Sequence, residues 1–182
     1  MFKKELKKGC LLIIGGAKSG KSRISLDICN ALGKKKIFLA TAQAFDEEMR
    51  DRIDRHRRER GKDWTTIEEP MEILKKIKES DTEDSVILVD CLTLWINNLF
   101  MKYGDSPQPV QKSIEELIQG LGQIKGVVIL VSNEVGMGIV PENDLARVYR
   151  DMAGSLNQRI AALAKKVVAV IAGIPVVIKD KV

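Results

Sequence analysis

The chain has little of what several protein classes depend on. Of its 182 residues only 4% are aromatic, three are cysteine and one is histidine. Cys10, Cys29 and Cys91 are odd in number, far apart, and each set in an apolar stretch. That spacing argues against a disulfide framework and a zinc motif, and leaves them as small core residues. No apolar run approaches the ~18 to 20 residues of a membrane span, and Met1-Phe2-Lys3-Lys4-Glu5-Leu6-Lys7-Lys8 lacks the apolar core and cleavage site of a secretory signal. A cytoplasmic protein without an integral membrane segment is expected. At 45% hydrophobic and 30% charged, the chain reads as one domain over 1–182 with a single sizeable core, residues 1–8 forming a charged N-terminal extension.

The net charge of +5 raises the question of nucleic acid, but the charge is patchy. Residues 3–8 carry four Lys against one Glu, 34–36 are all Lys, and 50–62 carry seven basic against three acidic groups. The remainder is acidic, and so few aromatics leave little to stack bases along a groove. A small anionic ligand fits better than a polymer, and no nucleic-acid partner is expected.

Apolar runs without alternation occur at 10–14, 36–40, 86–89, 127–131, 167–171 and 176–178, as strands covered on both faces require. Between them the periodicity predicts helices at about 20–32, 45–60, 70–79, 92–102, 110–123 and 143–165. The alternation argues an α/β fold with a mostly parallel sheet. Only Gly173-Ile174-Pro175 separates the last two strands, too few residues for a crossover, so they form an antiparallel edge hairpin. Residues 105–109 are the clearest loop.

After the first strand stands Gly15-Gly16-Ala17-Lys18-Ser19-Gly20-Lys21-Ser22, a match to G-x-x-x-x-G-K-[ST] with a strand before and a helix after. Its glycines let backbone N–H groups and a helix N-terminus face a phosphate chain, Lys21 supplies a point charge, and the Ser22 hydroxyl suits Mg²⁺. The fold expected is therefore a P-loop (RecA-like) three-layer one. The run Val86-Ile87-Leu88-Val89-Asp90 ends in a carboxylate beside that loop, placed either to hold magnesium with Ser22 or to cap the next helix.

The only histidine lies in an acidic-to-basic segment whose Phe45, Met49 and Ile53 fall at i, i+4 and i+8, with His56 three further on. Arg55, Arg57 and Arg58 would keep an imidazole neutral and nucleophilic and attract phosphate oxygens. A solvated basic helix whose histidine merely packs reads equally well from spacing. Ser132 to Pro141 follows a buried strand and reads either as a wall of the ligand crevice or as a plain connection. The polar set Arg147, Arg150, Asp151, Asn157, Gln158 and Arg159 suits a substrate, a neighbouring subunit or solvent.

Gly15 to Ser22, Arg52-Ile53-Asp54-Arg55-His56-Arg57, Trp64-Thr65-Thr66-Ile67-Glu68, Asn133 to Pro141 and Arg150 to Arg159 together, in order, resemble the bifunctional adenosylcobinamide kinase and adenosylcobinamide-phosphate guanylyltransferase family of cobalamin synthesis. The resemblance implies that residues 15–22 (Gly15, Gly16, Ala17, Lys18, Ser19, Gly20, Lys21, Ser22) bind ATP or GTP with Mg²⁺ and that Lys21 acts in catalysis. It further implies that His56 accepts GMP covalently, that Arg57, Arg58, Glu59, Arg60, Glu68 and Asp90 line the nucleotide site, that adenosylcobinamide and its phosphate are substrates, and that the assembly is a homotrimer. Lys18 stands where the family commonly has Arg and Asp90 where some members have Glu, both keeping the charge, and the N-terminal extension precedes the family's usual start. Two other readings stay open: a small-metabolite kinase in which His56 is incidental, and a RecA-like motor acting on nucleic acid.

Overall fold

The structure is a computed structural model and describes residues 6–43, 47, 60–61, 63–104 and 106–181. Strand β1 (Gly9–Gly15) leads into α1 (Lys21–Leu32), then β2 (Lys35–Ala40), β3 (Trp64–Glu68), α2 (Ile73–Ser80), β4 (Ser85–Asp90) and α3 (Leu92–Tyr103). After these come α4 (Pro107–Leu121), β5 (Val127–Asn133), α5 (Asp144–Leu163), β6 (Lys166–Ile171) and β7 (Ile174–Asp180). They build one seven-stranded sheet in the order β3-β2-β4-β5-β1-β6-β7. Every pairing is parallel except β6 with β7.

Successive residues of a strand point to opposite faces, so a run apolar throughout is buried twice. Cys10 and Leu12 of β1 pack with residues of α2, α3, α4 and α5, whereas Leu11 and Ile13 pack on the other face with Ile28 and Cys29 of α1. Helices on both faces of the sheet make the three layers. Cys10, Cys29 and Cys91 are all buried free thiols. Burial pushes the Cys10 thiol up to about 12, with the Asp81 carboxylate adding to it, and raises that of Cys29 further. They are neutral core residues.

The strand expectations need two corrections. Trp64–Glu68 is a strand that the apolar runs did not reveal. Among the described residues it pairs with β2 alone, at the sheet edge, and each face is only partly covered, Trp64 packing on one side and Ile67 on the other while Thr65, Thr66 and Glu68 are exposed, so no continuous apolar run is required. The last strand begins at Ile174, earlier than expected, because Ala172 (φ 51°) and Gly173 (φ 79°) alone make the turn between the paired Ile171 and Ile174. Two positive φ values in a two-residue connection suit the twist of a hairpin. Pro175, which lacks an N–H, is tolerated because β7 is an edge strand. The loop expected over 105–109 is shorter too. Pro107 and Pro109 fall in the first turn of α4, where a missing backbone donor costs nothing.

Of the helix expected over 45–60, only Glu47 and Arg60 are described. Among the described residues no helix is long and apolar enough to cross a membrane.

Candidate active site

Strands that run parallel bring their carboxyl ends to one edge, and the sequence places candidate residues at four of those ends: Gly15, Glu68, Asp90 and Asn133. Their register puts Gly15 opposite Asn133, Asp90 opposite Val131, and Ala40 opposite Asp90. The phosphate loop rises from Gly15. Its Cβ, were one present, would lie 2.4 Å from the Val170 carbonyl oxygen and 2.7 Å from Ser19 Oγ, so only glycine fits. Gly16, Ala17 and Lys18 are exposed, Lys18 with φ 54°, and Ser19 turns back into the protein. Gly20, at φ 97°, caps α1 without a side chain. A Cβ there would approach Gly173 Cα to 3.2 Å, and the Gly173 N–H donates to the Ser19 carbonyl at 2.9 Å. The turn of the C-terminal hairpin therefore supports the phosphate loop, a role not legible in Gly173 itself.

Lys21 opens α1 and is only 7% exposed, with its Nζ donating to the Gly16 carbonyl at 2.6 Å. The ammonium is thus folded back across the loop that an anion would enter. Next to it, Ser22 Oγ donates to Asp90 Oδ2 at 3.2 Å across 68 residues of sequence. This contact unites the loop hydroxyl and the strand-end carboxylate, both hard oxygen groups. Glu68 ends β3, exposed, opposite Ala40 and so two strands from Asp90, ~10 Å away by strand spacing. Arg60 is 9% exposed and stacks its guanidinium 3.7 Å from the centre of the Phe38 ring, beside β2 before its carboxyl end. His56, Arg57, Arg58 and Glu59 lie outside the described residues.

Behind these groups is a set of polar contacts that spacing did not single out. Thr41 Oγ1 accepts from the Cys91 N–H and donates to the Cys91 carbonyl, both at 2.8 Å. Asn98, buried in α3, donates to the Thr41 carbonyl at 2.8 Å and the Pro70 carbonyl at 3.1 Å. One amide thus ties the segments leaving β2 and β3, and the Thr41 hydroxyl ties the first of them to the segment leaving β4. An Asn inside the apolar run Leu94-Trp95-Ile96-Asn97-Asn98-Leu99 was the available signal, because a buried amide is costly unless it is bonded. On the other side, Asn133 donates to Thr93 Oγ1 at 2.8 Å, and the Tyr149 hydroxyl donates to the Thr93 carbonyl at 3.0 Å. Burial, and then proximity to Cys91, raise the Tyr149 phenol to about 12. Burial, and then Asp90, also raise the Cys91 thiol, so the sulfur beside the site stays protonated and is no nucleophile.

The loop after β5 stands away from the protein: Met137 is 91% and Ile139 96% exposed. The polar set of the last helix divides. Arg147 bonds the Pro141 and Glu142 carbonyls and Asp144, Arg150 pairs with Asp151, and Arg159 pairs with Glu115. Asn157 is buried under Asn133, its Nδ2 3.4 Å from that carbonyl.

Comparisons with known proteins agree with this arrangement. The profile of the family described as cobinamide kinase / cobinamide phosphate guanyltransferase matches residues 11–178. The chain is 43% identical to the bifunctional adenosylcobalamin biosynthesis protein CobP of Pseudomonas aeruginosa over 170 residues, 93% of this chain and 97% of the other. It is 38% identical to the corresponding CobU of Escherichia coli K12 over 180 residues, 93% of this chain and 99% of that protein. Among solved structures, an isolated ATPase domain superposes with a TM-score of 0.55 at 13% identity, over 96% of this chain and 78% of that one. The flagellar accessory protein FlaH of Methanocaldococcus jannaschii gives 0.53 at 15% identity, over 94% and 78%. At such identities the likeness concerns the fold, which is the α/β P-loop fold of RecA-like ATPases.

Proposed function

We propose, from the premise that the chain belongs to the cobinamide kinase / cobinamide phosphate guanyltransferase family, that it phosphorylates adenosylcobinamide and then converts the phosphate to adenosylcobinamide-GDP. The observation that carries this reading is the meeting of the phosphate loop with Asp90 through Ser22, on a chain matched to that family from end to end of its sheet.

In the first reaction the γ-phosphoryl group of ATP or GTP passes to the substrate hydroxyl. Lys21, the loop N–H groups and the N-terminus of α1 stabilise charge on the transferred group. A hydroxyl and a carboxylate side by side are the hard oxygen donors that Mg²⁺ prefers, so Ser22 and Asp90 fit it, and when bound it would neutralise phosphate charge. Anchoring by Ser19, Gly20 and Gly173 holds the loop in shape, so donors need not reorganise as the reaction proceeds.

In the second reaction an imidazole nitrogen of His56 attacks the α-phosphorus of GTP, a nitrogen–phosphorus bond forms, and the bond to the leaving pyrophosphate breaks. A phosphate oxygen of adenosylcobinamide phosphate then displaces His56, which is released for another turnover. The covalent step divides one displacement into two. Support comes from the family's sequence pattern around Arg55-His56-Arg57 and from the chemistry of the alternatives, since the three thiols are buried and each is pushed toward its neutral form. Arg57, Arg58, Glu59, Arg60 and Glu68 belong to the same reading as nucleotide contacts. So do a cytoplasmic location and a homotrimer, the latter supported by the exposed Met137, Ile139 and Val140 beside the site and by exposed Ile174 on the edge strand.

The test is incubation with GTP and Mg²⁺ followed by intact-mass and peptide analysis. A GMP adduct on His56, stable to alkali and lost in mild acid, is expected. His56→Asn should lose both adduct and guanylyl transfer while keeping γ-phosphoryl transfer, which requires no histidine. Undiminished adenosylcobinamide-GDP formation by that variant would exclude the covalent route and leave a simple metabolite kinase fold with a separate transfer chemistry.

A further inference from the structure

The end of the sheet opposite the phosphate loop is crowded with lysines. The strands begin there: Gly9 is paired with Val127, Lys35 with Ser85, and Leu11 with Lys166. Lys7, Lys8, Lys34 and Lys125 line, with Glu83, a depression of about 410 Å³. Lys34 Nζ donates to the Lys7 carbonyl at 3.2 Å, which ties the N-terminal segment to this pole. The stem of Lys165 lies over Gly9, its Cδ 3.1 Å from where a Cβ would stand, and the Lys181 N–H donates to the Lys165 carbonyl at 2.8 Å. Lys7, Lys8, Lys35, Lys125, Lys165 and Lys181 are exposed.

Part of this charge has a structural purpose. Helices α1, α4 and α5 end at this pole, and each brings about half a negative charge that a following lysine offsets. Asp81, Glu83 and Asp84 are there as well, and Lys36 and Lys166 are matched by Asp63 and Asp180. Among the described residues Lys7 and Lys8 follow no helix, so this account does not cover them, and Lys3 and Lys4 precede them in the sequence. Both Lys7 and Lys8 also lie before the residues matched by the family profile, which begins at 11, and Lys181 lies after its end at 178.

Five strand spacings separate Lys35 on β2 from Lys181 beyond β7, ~24 Å. Lys7, Lys8, Lys34 and Lys125 share the depression, while Lys35, Lys165 and Lys181 carry the charge across the rest of the pole. No arginine and no exposed aromatic side chain stands among them in the described residues. Such an array matches an extended surface of uniform negative potential, the property of an anionic bilayer. We infer that this pole docks the protein on anionic phospholipid membranes by charge alone, leaving the phosphate loop, at the other end of the sheet, facing the aqueous phase. The inference is independent of the catalytic reading.

Sedimentation of the full chain with vesicles tests it. Vesicles of phosphatidylcholine containing about 40% phosphatidylglycerol should bind the protein at about 20 mM salt, and pure phosphatidylcholine should not. Raising salt to about 300 mM should weaken binding about tenfold or more. The triple variant Lys7→Glu, Lys8→Glu, Lys125→Glu should bind on the order of a hundredfold more weakly, each lysine contributing about fivefold. Lys75→Glu, Lys102→Glu, Lys112→Glu changes net charge equally on exposed helix positions elsewhere and should change binding less than about twofold. Equal losses in the two triples would show that net charge alone acts and overturn the inference. Absence of binding to anionic vesicles at low salt, binding to neutral ones, or duplex DNA binding that vesicles fail to displace would overturn it too. The salt series on the unaltered chain decides the matter even if a triple variant does not fold.

Discussion

At the carboxyl end of the sheet, the phosphate loop leaves Gly16, Ala17 and Lys18 exposed between two buried anchors, Gly15 and Ser19. At the amino end, backbone donors are closed at once: Asp81 accepts from the N–H groups of Lys125 at 2.6 Å and Gly126 at 2.8 Å. Both ends use glycine where no Cβ fits, and both are crossed by contacts between residues far apart in sequence. What separates them is where the N–H groups point. Those at the carboxyl end belong to a helix N-terminus and a glycine loop whose tip is exposed, whereas those of Lys125 and Gly126 at the amino end are consumed by the protein's own carboxylate. Chemistry and stability should therefore be separable by substitution.

Lys21→Ala gives the sharpest separation. Its ammonium reaches the Gly16 carbonyl at 2.6 Å and Ser19 Oγ at 3.5 Å, both groups of the phosphate loop, and in the proposed reaction it faces phosphate. Nucleotide-dependent turnover should fall on the order of 10² to 10³-fold, while the melting temperature moves little. A variant that keeps its rate, or one that unfolds, breaks the comparison from the carboxyl side.

Gly126→Ala tests the other end. A Cβ there would meet the Thr82 carbonyl oxygen at 2.2 Å and the Ser85 carbonyl oxygen at 2.7 Å, both backbone atoms that cannot swing away. Denaturant titration should show a loss of about 2 to 3 kcal/mol, with the turnover rate of the folded fraction unchanged. Gly15→Ala, whose Cβ would meet the Val170 carbonyl, should lose stability and activity together. If Gly126→Ala lowers turnover of the folded protein as much as Gly15→Ala does, the two ends are coupled.

Tyr149→Phe is expected to have the smallest effect. It removes one donor to the Thr93 carbonyl, worth about 1 kcal/mol near neutral pH. Its phenol is raised from 10.0 to about 12, chiefly by burial. The folded state therefore favours the neutral form, and its contribution is complete below pH 10 and lost as pH rises toward 12. Cys10, raised from 9.0 to about 12, contributes an alkaline loss of the same sign that the variant retains. Melting curves of the variant should thus fall less steeply than those of the unaltered chain between pH 10 and 12. An equally steep fall would show that Tyr149 is not held in its neutral form by the Thr93 contact and its surroundings.

Much of this architecture was legible in the order of residues. The central strands declare themselves because a strand covered on both faces must be apolar at every position, and the phosphate loop does so because glycines, lysine and serine recur at a spacing that follows one strand and opens one helix. β3 was hidden for the opposite reason. An edge strand whose faces are each only partly covered needs no apolar run, so no strand was expected at Thr65 and Thr66, and pairing with β2 alone defines it. Pro107 and Pro109 were misleading in the same way: proline ends a helix from within but is accepted in its first turn. Asp90 could be suspected as a strand-end carboxylate, yet its choice between capping a helix and meeting the loop serine depended on a neighbour 68 residues away.

The sequence by itself determined which segments are buried strands, which glycine-rich run joins the first strand to the first helix, and that three thiols would sit in the core, because those properties follow from side-chain chemistry and local period. Only the tertiary structure decided that Gly173 props the phosphate loop, that Asn98 clamps Thr41 to Pro70, that Asn133 reaches Thr93, and that lysines from both ends of the chain share one pole. Those partners meet through strand order and register, and the free energy that selects an order comes from covering both faces of the whole sheet at once, a quantity that no short stretch of residues contains.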